Sequence, residues 1–330
     1  MILVTGGNGF VGRIVVRELL QQGHQVRVVS RHAKQIRKLN SFRSVEVVEA
    51  DLTEGGSLDK AMGGVKAVLH LVGIIVPLGK NRFEAAHVQA TREVICAMQR
   101  NGVKRLVHMS ALGARYHAAS HYHQTKWEAE NLVRESGLDW TIFRPSLIYG
   151  SDNKMIKQLV AMMHFPFNVL QLGCLPCFGG GRTLFQPIAV EEVAYCFIRA
   201  LTCEISLGKT YVLTGQETVS FRSLLRKIAE TQGLRSTWLE TFPALYLFLV
   251  PWYILSKSKP ILVSLPFEIA YALATVGERM ALQLALTRDT VKMLEEDNVG
   301  NGEEAWRDFD FSPENFSVGI FRVLNKDQND

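Results

Sequence analysis

Cysteine is scarce in this sequence, so disulfide chemistry has little to build on. The chain of 330 residues has five cysteines, an odd and sparse set that argues against a disulfide framework and indicates a reducing compartment. Cys174 and Cys177 have the spacing of a redox pair or of half a zinc site, but no second pair occurs. Pro176 and the glycines that follow it predict a loop here, and we predict no metal site.

Neither positive nor negative charge is in large excess. The formal net charge is +5, it is spread along the chain, and no five like charges occur in a row. This balance suits an anionic cofactor or an acidic membrane surface, and it is too weak to indicate nucleic acid as a partner. With 47% hydrophobic and 21% charged residues, the composition is that of a globular protein.

Long apolar runs are missing, since none reaches the roughly 20 residues that a membrane-spanning helix needs. The apolar stretch 241–280 predicts helices that either pack on the fold or contact a membrane or a respiratory complex from its surface.

Met1 opens the first predicted strand, so we expect no targeting segment before it. The predicted location is cytoplasmic, and peripheral to the inner membrane if 241–280 docks there.

Short runs rich in Val, Ile and Leu alternate with segments of helical spacing. Nearly continuous apolar strands separated by helices indicate a parallel sheet that is buried on both faces. We therefore predict an α/β doubly wound Rossmann fold with a smaller, mainly helical C-terminal lobe on the substrate side. The predicted strands are Met1–Val4, Gln25–Ser30, Val45–Ala50, Ala67–Val72, Arg105–Met109 and Trp140–Phe143. The predicted helices include Val11–Gln22, Phe83–Arg100 and His121–Glu135.

The regular alternation ends after Gly150, which suggests the domain boundaries. The predicted NAD(P)-binding core covers 1–150, and 151–187, with its prolines and aromatic residues, is a substrate-side insertion. Residues 188–207 return to the core, and 208–330 form a C-terminal lobe with apolar helical segments.

The strongest motif lies at the junction of the first strand and the first helix. Gly6 permits a tight turn, Gly9 lets main-chain amides approach a pyrophosphate, and Gly12 lets the helix pack closely against the strand. The amino end of the helix then directs its partial positive charge at the phosphates. We predict that a dinucleotide cofactor binds on Thr5, Gly6, Gly9, Phe10, Val11 and Gly12.

The end of the second strand distinguishes NAD(H) from NADP(H), because an acidic residue there would bond the ribose 2′-hydroxyl of NAD. This sequence has Ser30 and Arg31 instead. A guanidinium suits the 2′-phosphate of NADP, and Arg13 offers a second cation. These residues favour NADP(H) over NAD(H); the alternative is that Arg31 stacks on adenine or lies in solvent.

Three further segments are predicted to line the cofactor because ligands of such sheets bind at the carboxyl ends of the strands. Asp51 and Leu52 follow the third strand, where a carboxylate can meet the adenine amine. Val72 and Gly73 follow the fourth strand, under the adenosine ribose. The segment Arg144-Pro145-Ser146 ends the sixth strand and is predicted to shape the nicotinamide side.

Tyr122 and Lys126 lie four positions apart on one face of a predicted helix, and Ser110 ends the fifth predicted strand. In a hydride-transfer site, Tyr122 would act as general acid or base and Ser110 as a hydrogen-bond donor. Lys126 would hold the nicotinamide ribose and, as a nearby cation, lower the tyrosine pKa from about 10. If the protein is an enzyme, we predict that these three residues are catalytic.

These motifs resemble the short-chain dehydrogenase/reductase superfamily, in its extended or atypical branch. The glycine loop, Ser110, Tyr122, Lys126 and Arg144–Gly150 carry the resemblance. Lys104–Ala114 is similar to the branch that contains the nucleotide-binding accessory subunit of respiratory complex I and its bacterial relatives. The similarity to that branch continues in Phe185–Ala194, Leu286–Asp289 and Asp297–Val299.

The resemblance implies two different activities. Most members are oxidoreductases or epimerases, yet the complex I subunit is thought to bind its nucleotide tightly without turning it over. Many active members carry an Asn where this chain has Gln89, which argues against a proton relay behind Lys126. Many atypical relatives have lost the tyrosine that is present here as Tyr122, which argues for activity.

Three functions follow from the resemblance and the motifs. The first is a protein of the complex I accessory type that holds its cofactor and contacts a membrane or quinone-associated partners. The second is an active NADPH-dependent reductase, dehydrogenase or epimerase that acts on an apolar small molecule. The third is a regulator that senses NADP without catalysis.

Overall fold

A computed structural model of the chain describes residues 1–31, 45–76, 83–151, 153, 156, 174–231, 237–239, 261–279 and 286–326. The strands in these ranges are β1 (Ile2–Thr5), β2 (Val26–Ser30), β3 (Glu46–Glu49), β4 (Ala67–His70), β5 (Arg105–Met109), β6 (Asp139–Pro145), β7 (Ile148–Tyr149), β8 (Cys174–Phe178), β9 (Leu184–Phe185), β10 (Ile188–Ala189), β11 (Lys209–Leu213), β12 (Val219–Ser220), β13 (Thr237–Leu239) and β14 (Ile261–Leu265). The α-helices are α1 (Phe10–Gln21), α2 (Ala90–Arg100), α3 (His121–Arg134), α4 (Val190–Ala200), α5 (Phe221–Thr231), α6 (Phe267–Arg279), α7 (Arg288–Glu295), α8 (Glu303–Asp308) and α9 (Phe316–Lys326).

Seven parallel strands form one sheet in the order β11-β6-β5-β4-β1-β2-β3. The order reverses at β1, which lies between β2 and β4, and sheets of this kind bind ligands at the carboxyl ends of the strands next to such a reversal. The predicted α/β doubly wound Rossmann fold is confirmed. Every predicted strand is present, and its ends lie within two residues of the predicted ones.

Apolar side chains cover this sheet on both faces. Val4 of β1 belongs to a buried cluster with Leu19 of α1 and Phe197 of α4. Leu3, its neighbour in the chain, belongs to a second cluster that includes Met98 of α2. Successive residues of a strand point to opposite faces of a sheet, so β1 needs an uninterrupted apolar sequence. This is the pattern that made the strand recognisable from the sequence.

The chain divides into two compact units. The first comprises Met1–Ile148, Ile188–Thr214 and Gly300–Pro313, and the second comprises Tyr149–Pro187, Gly215–Val299 and Glu314–Asp330. Residues 208–214 and 300–313 were predicted to belong to the C-terminal lobe, whereas both belong to the first unit. The reason is that β11 adds a strand beside β6, and Trp306 Nε1 donates a hydrogen bond to the Thr214 carbonyl at 3.1 Å.

The second unit contains a small parallel sheet in which β14 lies between β13 and β8. Cys174–Phe178 is a strand of this sheet, so the predicted loop at these residues is wrong. Among the described strands β8 lies at the edge of this sheet, where Pro176 is tolerated because one side of the backbone needs no hydrogen-bonded partner. The turn begins at Gly179, where three consecutive glycines have positive φ angles.

Of the apolar stretch 241–280, the described residues include only 261–279. The predicted membrane contact of 241–260 lies outside the described residues. In the part of the chain that the structure describes, no helix is both long enough and apolar enough to cross a membrane. Helix α6 exposes an apolar face, on which Ile269, Leu273 and Val276 are 41%, 51% and 55% exposed.

Candidate functional site

The junction of β1 and α1 forms a tight main-chain turn. Gly6 has a φ of +71°, and the Gly9 amide donates to the Gly6 carbonyl at 2.9 Å. A Cβ on Gly12 would lie 2.1 Å from that carbonyl oxygen, so only glycine lets α1 approach the turn. Gly9 begins the helix without a side chain to cap it, so the first-turn amides at Phe10 and Val11 have no intrahelical acceptor. This geometry suits an anion.

The turn packs against the residues that follow β4. A Cβ on Gly6 would lie 2.9 Å from the carbonyl carbon of Leu71 and 3.0 Å from the amide nitrogen of Val72. A Cβ on Gly73 would lie 2.9 Å from Lys126 Nζ. The predicted residues Val72 and Gly73 therefore lie next to both the glycine turn and Lys126.

Ser30 and Arg31 end β2 close to Asp51, which follows β3. Arg31 is exposed, and Leu52 is buried in the core beneath the strand ends. Burial acts to raise the pKa of Asp51, but hydrogen bonds from Thr53 and the positive charge of Arg31 lower it. The structure therefore brings Arg31 and Asp51 into electrostatic contact at the end of the sheet where the adenosine half was predicted.

Lys126 is buried on α3, and its ammonium contacts main-chain carbonyls. Nζ donates to Met109 O at 3.0 Å and to Val72 O at 3.5 Å. Burial lowers the lysine pKa to about 8, and the charge of Glu130, one turn along the helix, acts in the opposite direction. An ammonium has three N–H donors, and the described residues accept from two of them.

Tyr122 lies one turn before Lys126 and is 9% exposed. Its ring packs edge-on against the rings of His87 and Phe83, with centroids 5.4 and 5.9 Å apart. Burial raises the tyrosine pKa above its ordinary value. Desolvation of the phenol therefore acts on this pKa in the direction opposite to the lowering predicted from Lys126, which stays a prediction for the nucleotide-bound site.

Ser110 follows β5 and is buried, with its amide donating to Phe143 O at 2.7 Å. Its hydroxyl has no hydrogen-bond partner among the described residues. Leaving a buried polar group unbonded costs about 1–3 kcal/mol, so this hydroxyl is suited to bonding a ligand. Pro145 lies close by, since its carbonyl accepts from the Leu112 amide at 2.9 Å.

His87 links these elements and was not among the residues predicted from the sequence. It lies in a π-helical turn, Glu84–Gln89, that leads into α2. Its Nε2 accepts from the Ile74 amide at 3.2 Å, so the proton is on Nδ1, which donates to Thr125 Oγ1 at 2.9 Å. Burial and the charge of Lys126 lower the histidine pKa to about 2, which keeps the ring neutral. A single histidine in an amphipathic helix gave no sequence signal for this role.

The family resemblance aligns Gln89 with the Asn that many active members carry, but Gln89 is not the residue that faces Tyr122. Its side chain is exposed, whereas His87, two residues earlier, is buried and faces Tyr122. A π-helical turn holds more residues than an α-helical turn, so it changes which side chain faces inward.

A buried hydrogen-bond chain continues from His87 to β1. The Thr91 hydroxyl donates to the His87 carbonyl at 2.5 Å and so accepts from His70 Nε2, 3.0 Å away. His70 Nδ1 then accepts from the hydroxyl of Thr5 at 2.6 Å. Burial lowers the pKa of His70 to about 3, so this ring is also neutral. The chain ends directly before the glycine turn.

Arg144, which was predicted to shape the nicotinamide side, forms an ion pair inside the first unit. It binds the fully buried Glu130 of α3 through two hydrogen bonds, Nε to Oε1 at 2.7 Å and Nη2 to Oε2 at 2.6 Å. Arg134 pairs with the same carboxylate. Arg144 thus has a structural role, because a buried carboxylate requires cationic partners, and its predicted role at the nicotinamide side stays a prediction.

A glycine turn at a strand–helix junction next to a buried lysine defines an NAD(P)-binding Rossmann protein. The NAD(P)H-binding family matches residues 6–163 of the chain. The chain is also similar to 3 beta-hydroxysteroid dehydrogenase/Delta 5-->4-isomerase of Mycobacterium tuberculosis, with 31% identity over 267 residues, which is 71% of this chain and 70% of that protein.

A second group of relatives belongs to respiratory NADH dehydrogenase. The chain is 28% identical over 283 residues to "NADH dehydrogenase [ubiquinone] 1 alpha subcomplex subunit 9, mitochondrial" of Arabidopsis thaliana, covering 84% of this chain and 63% of that protein. The Mus musculus subunit is 28% identical over 217 residues, or 64% of this chain and 56% of that protein. The chain therefore spans less than two thirds of the length of these two relatives.

These relationships identify the family. The chain belongs to the extended or atypical branch of the short-chain dehydrogenase/reductase superfamily, and it is related to the complex I subunit 9 proteins. The predicted resemblance is confirmed.

Solved structures show the same fold. UDP-glucose 4-epimerase of Thermotoga maritima, with UDP-glucose, superposes with a TM-score of 0.71 at 16% identity and covers 99% of this chain and 98% of that chain. The crystal structure of gox2253 has a TM-score of 0.70 at 21% identity and covers 100% and 98%. At such identities the likeness concerns the fold alone.

Proposed function

We propose that this protein holds NADP(H) in its first unit, in preference to NAD(H), and that it acts as a nucleotide-binding accessory protein of the complex I type rather than as an enzyme. The main support for this proposal is the buried environment of Tyr122. Its phenol is buried and its pKa is raised, while Lys126 bonds two main-chain carbonyls. A general acid or base works best with a pKa near the working pH, so this arrangement suits holding a nucleotide better than transferring a proton.

In this proposal, residues of the first unit contact each part of a bound dinucleotide. The uncapped first turn of α1 would take the pyrophosphate, and Arg31 and Asp51 would take the adenosine half. Lys126 and Ser110 would take the nicotinamide ribose, since within the described part of the chain one lysine donor and the serine hydroxyl have no partner. The close approach of Gly12 to Gly6 supports this fit, because a Cβ at residue 12 would close the turn.

The preference for NADP(H) rests on Arg31. It takes the place where an acidic residue would bond the ribose hydroxyls of NAD. Its guanidinium is exposed and presents a planar fork of donors that matches a phosphate.

The proposed partner is a respiratory complex or quinone-associated assembly at a membrane surface, contacted through 241–280. The names of the subunit 9 relatives suggest this kind of assembly. Within the described residues the support is α6, whose exposed Ile269, Leu273 and Val276 share one face. An exposed apolar patch of this kind commonly marks a protein or membrane contact.

A second candidate function is an NADPH-dependent reductase or dehydrogenase acting on an apolar small molecule. The buried hydroxyl of Ser110, which no described residue bonds, favours it, because a substrate carbonyl would be a suitable partner. The name of the Mycobacterium tuberculosis relative points to the same class of reaction. In this candidate function the nucleotide supplies the hydride, and Tyr122 moves the proton at the substrate oxygen.

One experiment on the purified full-length chain separates these proposals. Calorimetric dissociation constants are measured for NADPH and NADH, with wild type and Arg31→Asp. The bound NADPH is then exposed to a panel of quinones and ketones while its reduced nicotinamide absorbance is followed.

We expect tighter binding of NADPH, loss of that preference in Arg31→Asp, and a nucleotide that stays reduced. Tighter binding of NADH by the wild type would overturn the NADP assignment. Oxidation of NADPH that is abolished in Tyr122→Phe would replace the holding role with the enzymatic one.

A further inference from the structure

His87 joins the two segments that surround the ammonium of Lys126. Its Nε2 accepts from the Ile74 amide at 3.2 Å, in the turn that follows β4. Its Nδ1 donates to Thr125 Oγ1 at 2.9 Å, on the helix that carries Lys126. One neutral ring therefore fixes the separation between this turn and α3.

Both side chains lie against the same glycine. The position of a Cβ on Gly73 is 2.9 Å from Lys126 Nζ and 3.7 Å from His87 Nε2. His87 also packs edge-on against Tyr122, with ring centroids 5.4 Å apart, and stacks on Phe83 at 5.5 Å. The ring thus contacts the tyrosine and neighbours the lysine.

Thr125 extends this contact into the first turns of α3. Its hydroxyl lies 3.0 Å from His121 O and 3.1 Å from Tyr122 O. It donates its proton to these carbonyls while it accepts from His87. The direction of every bond is therefore fixed, and so is the position of the helical turn between Tyr122 and Lys126.

We propose that His87 is a positioning residue that holds Lys126 and Tyr122 in place for the nicotinamide half of the nucleotide. This inference rests on the proposed nucleotide-holding function. His87 lies on the nicotinamide side of the proposed site, so its contribution is confined to that half. The adenosine half depends on Arg31 and Asp51, which no bond of His87 reaches.

The test compares binding of whole NADPH with binding of 2′,5′-ADP, a fragment that lacks the nicotinamide half. His87→Leu removes both ring bonds. His87→Asn keeps a donor for Thr125, and His87→Gln keeps an acceptor for the Ile74 amide. Thr91→Val is the matched control, since it removes a buried hydroxyl from the same hydrogen-bond chain without touching Thr125 or Ile74. The fluorescence of bound NADPH reports on the nicotinamide environment.

We expect His87→Leu to weaken NADPH binding at least tenfold, to change the affinity for 2′,5′-ADP less than twofold, and to shift the NADPH fluorescence. His87→Asn or His87→Gln should recover part of the loss, and Thr91→Val should leave the ratio of the two affinities unchanged. If His87→Leu does not fold, Thr125→Val and Thr125→Ser make the same comparison, because only serine keeps the hydroxyl.

An equal loss of affinity for both ligands, or no loss for either, would overturn the inference. Failure of both amide variants to bind NADPH better than His87→Leu would do the same. A wild-type protein that binds no NADPH would instead overturn the proposed function, and this outcome is visible before any variant is made.

Discussion

Lys126 Nζ donates a hydrogen bond to the carbonyl oxygen of Met109 at 3.0 Å, so the buried ammonium holds the peptide that immediately precedes Ser110. This bond connects α3 to the end of β5. The serine hydroxyl and the lysine ammonium are therefore not independent, since a change at Lys126 removes a support of the Ser110 main chain.

Burial of Lys126 should give the protein a distinctive dependence on pH. The lysine pKa is lowered from its ordinary 10.5 to about 8, while His70 and His87 stay neutral throughout this range. Between these two pH values the unfolded chain binds the proton and the folded chain does not, so the lysine makes the free energy of unfolding rise with pH.

Urea denaturation of wild type and Lys126→Met, repeated at steps across this range, measures the effect. Relative to Lys126→Met, the free energy of unfolding of the wild type should increase with rising pH, by at most about 3 kcal/mol. Below pH 8 the difference between the two free energies should stay constant. Curves that stay parallel over the whole range would show that the ammonium is not desolvated as described.

Gly12→Ala should disturb the glycine turn. Its Cβ would lie 2.1 Å from the Gly6 carbonyl oxygen, and such overpacking typically costs about 1–3 kcal/mol. We expect a lower melting temperature and loss of NADPH binding. Gly63→Ala is the control, because a Cβ there meets nothing within 4 Å. Equal behaviour of the two variants would argue against the tight approach of α1 to the turn.

Glu130→Gln should be strongly destabilising. The carboxylate is fully buried and accepts two hydrogen bonds from Arg144, so removing its charge leaves a partly buried guanidinium without its anion. Breaking a buried pair in this way typically costs about 3–5 kcal/mol. The neighbouring Glu128→Gln, at an exposed position of the same helix, should be near neutral. Chemical denaturation of both variants decides between this account and a dispensable ion pair.

The apolar face of α6 should contribute to membrane association. We expect Leu273→Asp combined with Val276→Asp to reduce the fraction of protein that sediments with anionic lipid vesicles. Val318→Asp combined with Phe321→Asp is the matched control, because these side chains of α9 are comparably exposed, at 60% and 57%. Unchanged sedimentation of the α6 variant, or an equal loss in both, would remove the proposed docking role of this helix.

The first unit was largely predictable because its strands and its glycine turn each depend on the residues of one short segment. Strands buried on both faces require continuous apolar runs, and a turn that lets α1 approach β1 requires glycine at residues 6 and 12. Both requirements are visible in the sequence. The strand at Cys174–Phe178 was not predictable in this way, since its partner β14 lies far along the chain.

The candidate site was only partly predictable. The spacing of Tyr122 and Lys126 indicated one helix face, but the pKa of Tyr122 depends on desolvation by packed neighbours such as His87 and Phe83. The role of His87 was hidden because a π-helical turn changes which side chain faces inward. The family resemblance had drawn attention to Gln89 instead, whose side chain is exposed. The pairing of Arg144 with Glu130 was not predictable, because the two residues are close only in the folded chain.

A crystal structure of the full chain with NADPH would show where the nucleotide binds. We expect pyrophosphate oxygens at about 2.7–3.2 Å from the first-turn amides of α1, at Phe10 and Val11, with the nicotinamide ribose within hydrogen-bond distance of Lys126 Nζ. A bound nucleotide whose phosphates lie away from the β1–α1 turn, or crystals at saturating NADPH that contain none, would contradict this expectation.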